Sequence, residues 1–527
     1  MLYFIPAWYQ DDQWSEHEEY WYYKREYSEF DDTVKQIQLF HRNQTYPFNV
    51  LLLGYTPNLR HFLHRQGVFR IPYWSCFDAI QEVKRKKAVV LSYHQINWPD
   101  NIEFVYSPFL IVAKLNGKKY AEIEFGENGN PIQIAMFEGD TISRRNIYDD
   151  RGFVSSAIIY EAGERVYQEY YMENGVWKMR HFYTDGHIQM NPKYAQFRIE
   201  FGDREETVPF ARENYERLEQ LIEEVTRAYL YYTNKKDMFC IAMHMQHANL
   251  LRRVLKERKV ILSFYLDRYP LEKGKVMLEQ LIDQAGYMVV DTKAGVARLR
   301  KYVHDQTPII DISPYDTRIN LGVSQQLTVQ QLLIPIDGMN EEMFTEMVLI
   351  LLEYKQSHEN VELHFLTRKA QQNYPQIVLD KIEKLLKANE DDIDEIEMIE
   401  DDLNPDKETH PMEGVLVHQC VDEQSISKVM TEQRLLLELR DEPELYLQIV
   451  AISSGIPQIV RKITQFVESG KNGKVIGDLR MLPDTLDYYL DGLGNWNAAM
   501  VQSIELGKNY TTENLIHSWK EVISSFE

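Results

Sequence analysis

Apolar residues fall into short continuous runs, with stretches of helical spacing between them. Met1 to Ile5 reads as a buried first strand. Val50-Leu51-Leu52-Leu53-Gly54 reads as a second, followed by turn chemistry at Thr56-Pro57. Lys87-Ala88-Val89-Val90-Leu91 is a third short apolar run. Strands that are apolar on both faces and alternate with helices predict a parallel sheet covered on its two sides.

The texture changes between residues 105 and 200. Turn pairs recur at Asn116-Gly117, Asn128-Gly129, Arg151-Gly152, Ala162-Gly163, Asn174-Gly175 and Asp185-Gly186. Stretches with alternating character lie between them, such as Tyr120-Ala121-Glu122-Ile123-Glu124-Phe125. Asn-Gly and Asp-Gly supply the positive φ angles that tight hairpins need. An antiparallel meander inserted into the first lobe is the prediction.

The α/β pattern then resumes. A helix is predicted from about Glu213 to Tyr232, with Tyr215, Leu218, Ile222, Val225 and Tyr229 on one face. Strand-like runs follow at Met238–Met243, Lys259–Ser263, Tyr287–Val290 and Thr307–Ile310. Leu332-Leu333-Ile334-Pro335-Ile336 opens a second lobe, which continues through Val361–Leu366, Val415–His418, Leu435–Leu439 and Ile456–Val460. Asn389–Pro411 is dense in Asp and Glu and reads as an acidic insertion, either a solubilising loop or a docking strip for a basic partner. Thr512–Phe526 is amphipathic and reads as a packed terminal helix.

The fold class expected is α/β, with two Rossmann-like lobes and an inserted antiparallel β-sheet domain, an arrangement that resembles the GT-B type of sugar-nucleotide glycosyltransferase. Residues 1–104 and 201–325 are assigned to the first lobe and 105–200 to the insertion. Residues 326–510 form the second lobe, carrying the acidic insertion 389–411, and 511–527 the C-terminal helix. The length of 527 residues fits this, at roughly 100–200 residues per domain.

Charge and cysteine usage narrow the function. The net charge of −23 opposes nucleic acid and acidic lipid in general. The run Lys84-Arg85-Lys86-Lys87 is the exception: a solvated face, or a place to meet an anionic headgroup. The N-terminus has no basic region ahead of its apolar residues, and no apolar run reaches the length of a bilayer span. A cytosolic chain is expected, peripheral at the inner face of the membrane only through a partner or that basic run. Cys76, Cys240 and Cys420 lie far apart and read as buried thiols, not a zinc site.

A two-lobed transferase binds its sugar nucleotide at strand carboxyl ends. The diphosphate needs cations or a free helix N-terminus, and the sugar and ribose hydroxyls need carboxylates. Retaining enzymes of this type carry two Glu residues, eight apart, ahead of a small-Gly-x-Pro turn. Glu442 to Ile459 resembles that region: Ser454-Gly455-Ile456-Pro457 matches the turn and Glu442 the first carboxylate. Val450 stands at the second, where an isopropyl group accepts no hydrogen bond. The first loop is Pro6-Ala7-Trp8-Tyr9 instead of glycine-rich, and Asp337, Glu341 and Glu342 stand where Arg and Lys are common.

Trp8 and Tyr9 follow the first strand and could stack on a sugar ring or simply pack. Trp14, Tyr20, Trp21, Tyr22, Tyr23 and Tyr27 add to an aromatic N-terminus. Asp316 and Arg318 read as a local ion pair or a contact with a partner or glycan. His244 with His247, and His61 with His64, lack a carboxylate or Cys at ligand spacing, so no metal site is assigned. No Gly-x-Ser-x-Gly elbow or Walker-type loop is present.

The inserted meander resembles the extended sheet of glycosyltransferases that modify serine-rich adhesins and wall polymers. With it, Phe4-Ile5-Pro6-Ala7-Trp8-Tyr9, the segment Asp311 to Arg318 running into Leu321-Gly322-Val323-Ser324, and the turn Ser453-Ser454-Gly455-Ile456-Pro457-Gln458-Ile459 are similar to the Asp-one family of accessory Sec system proteins. The resemblance covers essentially the whole chain. It implies a non-enzymatic role in exporting glycosylated serine-rich repeat adhesins from Gram-positive bacteria. The implied partners are two companion Asp proteins, the accessory motor ATPase and the adhesin; no catalytic residue, metal or cofactor is implied. Trp8, Tyr9, Asp316, Arg318, Glu442, Ser454 and Gly455 are the candidate cleft or partner contacts. An active glycosyltransferase and a glycan-binding module remain as alternative readings.

Overall fold

The computed structural model describes residues 1–9, 13–15, 31–44, 46–107, 110–126, 129–303, 306–369, 371, 373–390 and 413–526. The chain packs as two units. One comprises Met1–Asp291, Gly295–Asp311 and Val522–Glu527, and the other Thr292–Ala294 and Ile312–Glu521.

The first unit is built on a parallel sheet that has seven strands among the described residues. Their spatial order is Ile309–Asp311, Ala285–Val290, Lys259–Phe264, Met238–Ala242, Leu2–Ile5, Phe48–Leu52, Tyr73–Ser75. The central strands are wholly buried, as their unbroken apolar runs require. Helix Leu218–Leu230 lays Leu221, Ile222, Val225 and Tyr229 into the core on that sheet.

An antiparallel sheet of ten strands among the described residues runs from Ile102–Tyr106 to Asn214–Tyr215. Its hairpins turn at Gly117, Gly129, Gly139, Gly152, Gly163, Gly175 and Gly186, all with positive φ. All but Gly139 belong to the turn pairs read from the sequence; of those pairs, Asn128 lies outside the described residues. A separate hairpin pairs Gln196–Phe201 with Arg204–Pro209.

Two local readings are corrected. Lys87–Leu91 is an extended connector, not a strand, and Val90 is 85% exposed. The four residues that follow the cations Lys84–Lys87 have no buried face to gain. The edge position goes to Tyr73–Ser75, whose Trp74 stacks on Tyr229. The connector is instead held to the antiparallel sheet, where Val89 N–H donates to Arg151 O and Asn130 Nδ2 donates to Val89 O. The predicted helix from Glu213 also begins late, at Leu218. Asn214–Tyr215 pairs with Ile188–Gln189 as the last strand of the large sheet, so Tyr215 is a strand residue.

The second unit carries a parallel sheet of six strands among the described residues, ordered Val415–Gln419, Val361–Thr367, Gln330–Pro335, Leu435–Glu438, Gln458–Val460, Gly473–Val475. The last of these, centred on Lys474, was not foreseen. Helices Glu341–Ser357, Leu445–Ser454 and Leu493–Gly507 cover it, and Trp496 donates its ring N–H to Arg434 O in the core. The chain enters this unit at Ile312 through an irregular stretch fixed by its backbone. Thr317 N–H donates to Tyr510 O, Gly322 N–H to Ser454 O and Val323 N–H to Thr431 O.

Cys76, Cys240 and Cys420 are free and buried. No helix of the described residues is long and apolar enough to cross a membrane. The acidic stretch read at Asn389–Pro411 lies outside the described residues from 391 onward. So do Tyr20, Trp21, Tyr22, Tyr23 and Tyr27 of the aromatic N-terminus.

Candidate functional site

In an α/β sheet, ligand chemistry belongs at the carboxyl edge of the strands. Each unit has such an edge, and each edge carries a closed polar network.

In the first unit, the chain leaves strand Leu2–Ile5 through Pro6–Tyr9. Trp8 packs on Phe62, with ring centroids 4.8 Å apart, and donates its ring N–H to Asp31 Oδ1 at 3.3 Å. Asp31 caps helix Asp32–Asn43 and also accepts from the backbone N–H of Thr33 and Val34. That helix N-terminus, which would otherwise attract a phosphate, is occupied by the chain's own carboxylate. Arg268 crosses from beyond strand Lys259–Phe264 to reach Asp31 at 2.9 Å and also pairs with Asp32. It donates as well to Met243 O at 3.0 Å. Ser263 donates to Asp32 at 2.6 Å, and Gln36 donates to Ser263 at 3.0 Å. Burial pushes the Asp31 carboxyl up to about 6, with neighbouring Asp32 adding to the rise and Arg268 opposing it. Burial acts against the charge on Arg268, yet the two aspartates hold its pKa above the usual guanidinium range.

Tyr9 is fixed beside this network. Its hydroxyl meets His247 Nδ1 at 2.9 Å, and His247 Nε2 meets Ala242 O at 2.6 Å. The ring lies against Gly54, where a Cβ would stand 3.1 Å from it. Burial lowers the His247 pKa to about 3, with nearby His244 adding to the fall, so the ring is a neutral strut at physiological pH.

In the second unit, three strand ends converge. Asp337, just past strand Gln330–Pro335, accepts from Thr367 Oγ1 at 2.8 Å and from Arg368 N–H at 2.6 Å. Arg368 reaches Glu444 at 2.6 Å. Arg440, just past strand Leu435–Glu438, grips Glu438 with Nε at 2.7 Å and with Nη2. It also approaches Glu444 at 3.7 Å and donates to Asp337 O at 3.3 Å. The Glu438 and Arg440 side chains are 0% and 7% exposed. Burial raises the Glu438 carboxyl pKa, and the Arg440 contact opposes that rise. Helix Glu341–Ser357 is again capped by its own chain, Asn340 accepting from Met343 N–H at 2.9 Å.

The sequence placed acidic residues where diphosphate-binding cations are common, and Asp337 is there. It missed that Arg368 and Arg440 arrive at the same edge from other strands. A bidentate Arg pairs with carboxylate as readily as with phosphate. Here the guanidiniums are engaged by Glu438 and Glu444. The signal available was a Glu and an Arg closing an otherwise apolar run, Leu435 to Arg440.

The predicted site residues disperse. Glu442 is exposed on the loop before helix Leu445–Ser454, while Glu444, two residues on, enters the network. Val450 is buried within that helix. Ser454 ends it and Gly455 is its left-handed cap, at the opposite end from Glu444. A Cβ on Gly455 would stand 2.8 Å from Met500 Cγ. Asp316 and Arg318 form an ion pair at 3.3 Å, and Thr512 Oγ1 donates to Asp316 at 2.9 Å. Among the described residues no group of three or more His, Cys, Asp or Glu is placed to hold a metal.

This architecture, two parallel-sheet units with a large antiparallel sheet in the first, is that of a glycosyltransferase-like GT-B protein. The pneumococcal O-GlcNAc transferase GtfA, solved with UDP and GlcNAc, shares the fold at a TM-score of 0.67 and 11% identity, with 100% of this chain and 98% of that one covered. The family model for accessory Sec system protein Asp-one matches residues 1–525, and the chain belongs to that family. The accessory Sec system protein Asp-one of Streptococcus gordonii is 32% identical over 99% of this chain and 98% of its own length. In the crystal structure of accessory secretory proteins 1, 2 and 3 of Streptococcus pneumoniae, a chain 30% identical matches at a TM-score of 0.81, covering 100% of this chain and 99% of that one.

Proposed function

We propose that the chain is a non-enzymatic component of the accessory Sec export machinery, helping to deliver glycosylated serine-rich repeat adhesins for translocation. One observation carries the non-enzymatic reading: the guanidiniums at both carboxyl edges are already engaged by internal carboxylates. A donor diphosphate would have to displace buried partners, and breaking such a pair costs about 3–5 kcal/mol. What remains is a fold suited to protein contact. Two companion proteins are its partners in this reading, by analogy with the three-protein assembly of its pneumococcal relative. The motor ATPase and the adhesin complete the set. Asp316, Arg318 and Glu442 serve as contact positions on the second unit, and Trp8 on the first. We divide the chain into a first lobe with an inserted sheet assigned to residues 105–200, whose outermost strands reach back to Ile102 and on to Tyr215, a second lobe from 326, and a terminal helix from 511. The chain works in the cytosol, with Lys84–Lys87 as the place where it meets the inner face of the membrane.

Titration calorimetry of the whole chain with UDP-N-acetylglucosamine tests the reading. No saturable binding is expected over the range in which enzymes saturate with substrate, roughly 1 μM–1 mM. Saturable binding, with sugar transfer to a serine-rich peptide that Arg440→Gln abolishes, would make the chain a transferase.

A further inference from the structure

The first unit has a second concavity, away from the edge where a transferase holds its donor. Its volume is 870 Å³. Met1, Asn49 and Tyr73 line it, residues at the starts of their parallel strands. It therefore lies at the amino edge of the sheet. The hairpin Gln196–Phe201 with Arg204–Pro209 contributes Arg198, Glu200 and Phe201 to its wall.

Its charge runs against that of the molecule. In a chain of net charge −23, eight basic side chains line this cavity against two acidic ones, Asp78 and Glu200. Most of these cations are already paired. Arg151 binds Asp78 and Asp149, Arg198 and Lys86 share Glu200, Lys84 meets Glu205, Arg85 meets Glu173, and Arg60 approaches Asp150. Arg70 and Lys87 are different. Both are exposed, line the cavity and have no carboxylate within ion-pair distance among the described residues. One guanidinium and one ammonium thus remain on the wall of a concavity whose other charges are fixed in place.

We propose that this cavity binds a phosphate monoester. The two unpaired cations match the charge of such a group, between roughly −1.5 and −2 at neutral pH. A guanidinium offers paired donors to phosphate oxygens, and an ammonium adds a point charge. The volume falls within the range of small-molecule sites, about 300–1,000 Å³. The fixed pairs keep neighbouring cations ordered without leaving an excess that would favour a long polyanion. The same chemistry arrives on a soluble ester or on a lipid headgroup at the membrane surface.

Calorimetry of the full chain with glycerol phosphate, and flotation with phosphatidylcholine vesicles with or without phosphatidic acid, separate the two sources. Binding of glycerol phosphate identifies a soluble ester; binding only to phosphatidic acid vesicles identifies a headgroup. In either case Arg70→Gln with Lys87→Gln weakens binding by roughly tenfold or more, the size of one lost charge-assisted contact. Lys462→Gln, on the second unit, leaves it unchanged. Both cavity residues are exposed and unpaired, so the double variant keeps its fold, which its circular dichroism and melting temperature check. Charge reversal by Lys87→Glu abolishes binding. The proposal is overturned if neither probe binds, if the double variant binds as well as the parent, or if polyglutamate binds and glycerol phosphate does not.

Discussion

Glu438 and Arg440 stand two positions apart in extended chain and so can face each other at a strand end. Their pairing is buried to a degree at which removing one partner strands the other. Glu438→Gln is expected to lower unfolding free energy by about 3–5 kcal/mol. The double replacement Glu438→Leu with Arg440→Met should recover most of that loss, because an apolar pair of similar volume avoids the desolvation cost. Denaturant unfolding of the two variants and the parent measures both. Full loss in the double variant would mean that Arg440 acts mainly through Asp337 and Glu444. Of this site, the sequence revealed the degenerate positions and not the replacement. Val450 and Asp337 could be read as losses from their positions alone. Arg268, Arg368 and Arg440 could not, because the carboxylates they meet come from separate segments. Only the placement of strand ends brings Arg268 to Asp31, 237 residues away.

Turns decide the elements of the antiparallel sheet, and they are not equivalent. Gly152 and Gly163 both have positive φ. At Gly163 an added Cβ meets nothing within 4 Å, whereas at Gly152 it would lie 2.3 Å from Val89 O. Gly163→Ala should cost about 1 kcal/mol, the penalty of left-handed backbone. Gly152→Ala should cost clearly more, about 2–4 kcal/mol, by adding displacement of the connector to that strain. Thermal unfolding ranks the two; equal losses would show that the connector shifts freely. The pattern of this sheet was legible because turn residues and alternation agree locally. The buried parallel strands were legible too, from their unbroken apolar runs. Lys87–Leu91 misled because an apolar run marks a strand only where the fold offers it a neighbour. Glu213–Tyr215 misled because helical spacing continued past the point where Tyr215 is drawn into sheet pairing.

At the scale of the whole molecule, the distribution of charge matters more than its sum. The chain carries 81 Asp and Glu against 58 Lys and Arg. Eight of those basic side chains line one cavity, where two acidic ones face them. A stiff polyanion would meet the surrounding negative field before it met that cavity. We expect no retention on heparin and no shift of duplex DNA at physiological salt. A shift that weakens steeply with salt would instead reveal a cationic track on the surface.

The three thiols have a practical consequence. Burial raises the pKa of Cys76, Cys240 and Cys420, which keeps them protonated as well as inaccessible. The native protein is therefore expected to react little with maleimides, which thiol titration under native conditions checks. A cysteine introduced at an exposed site away from the proposed contacts, such as Lys462, would carry a fluorophore almost alone, so that assembly with partners can be followed by energy transfer without first replacing any natural residue.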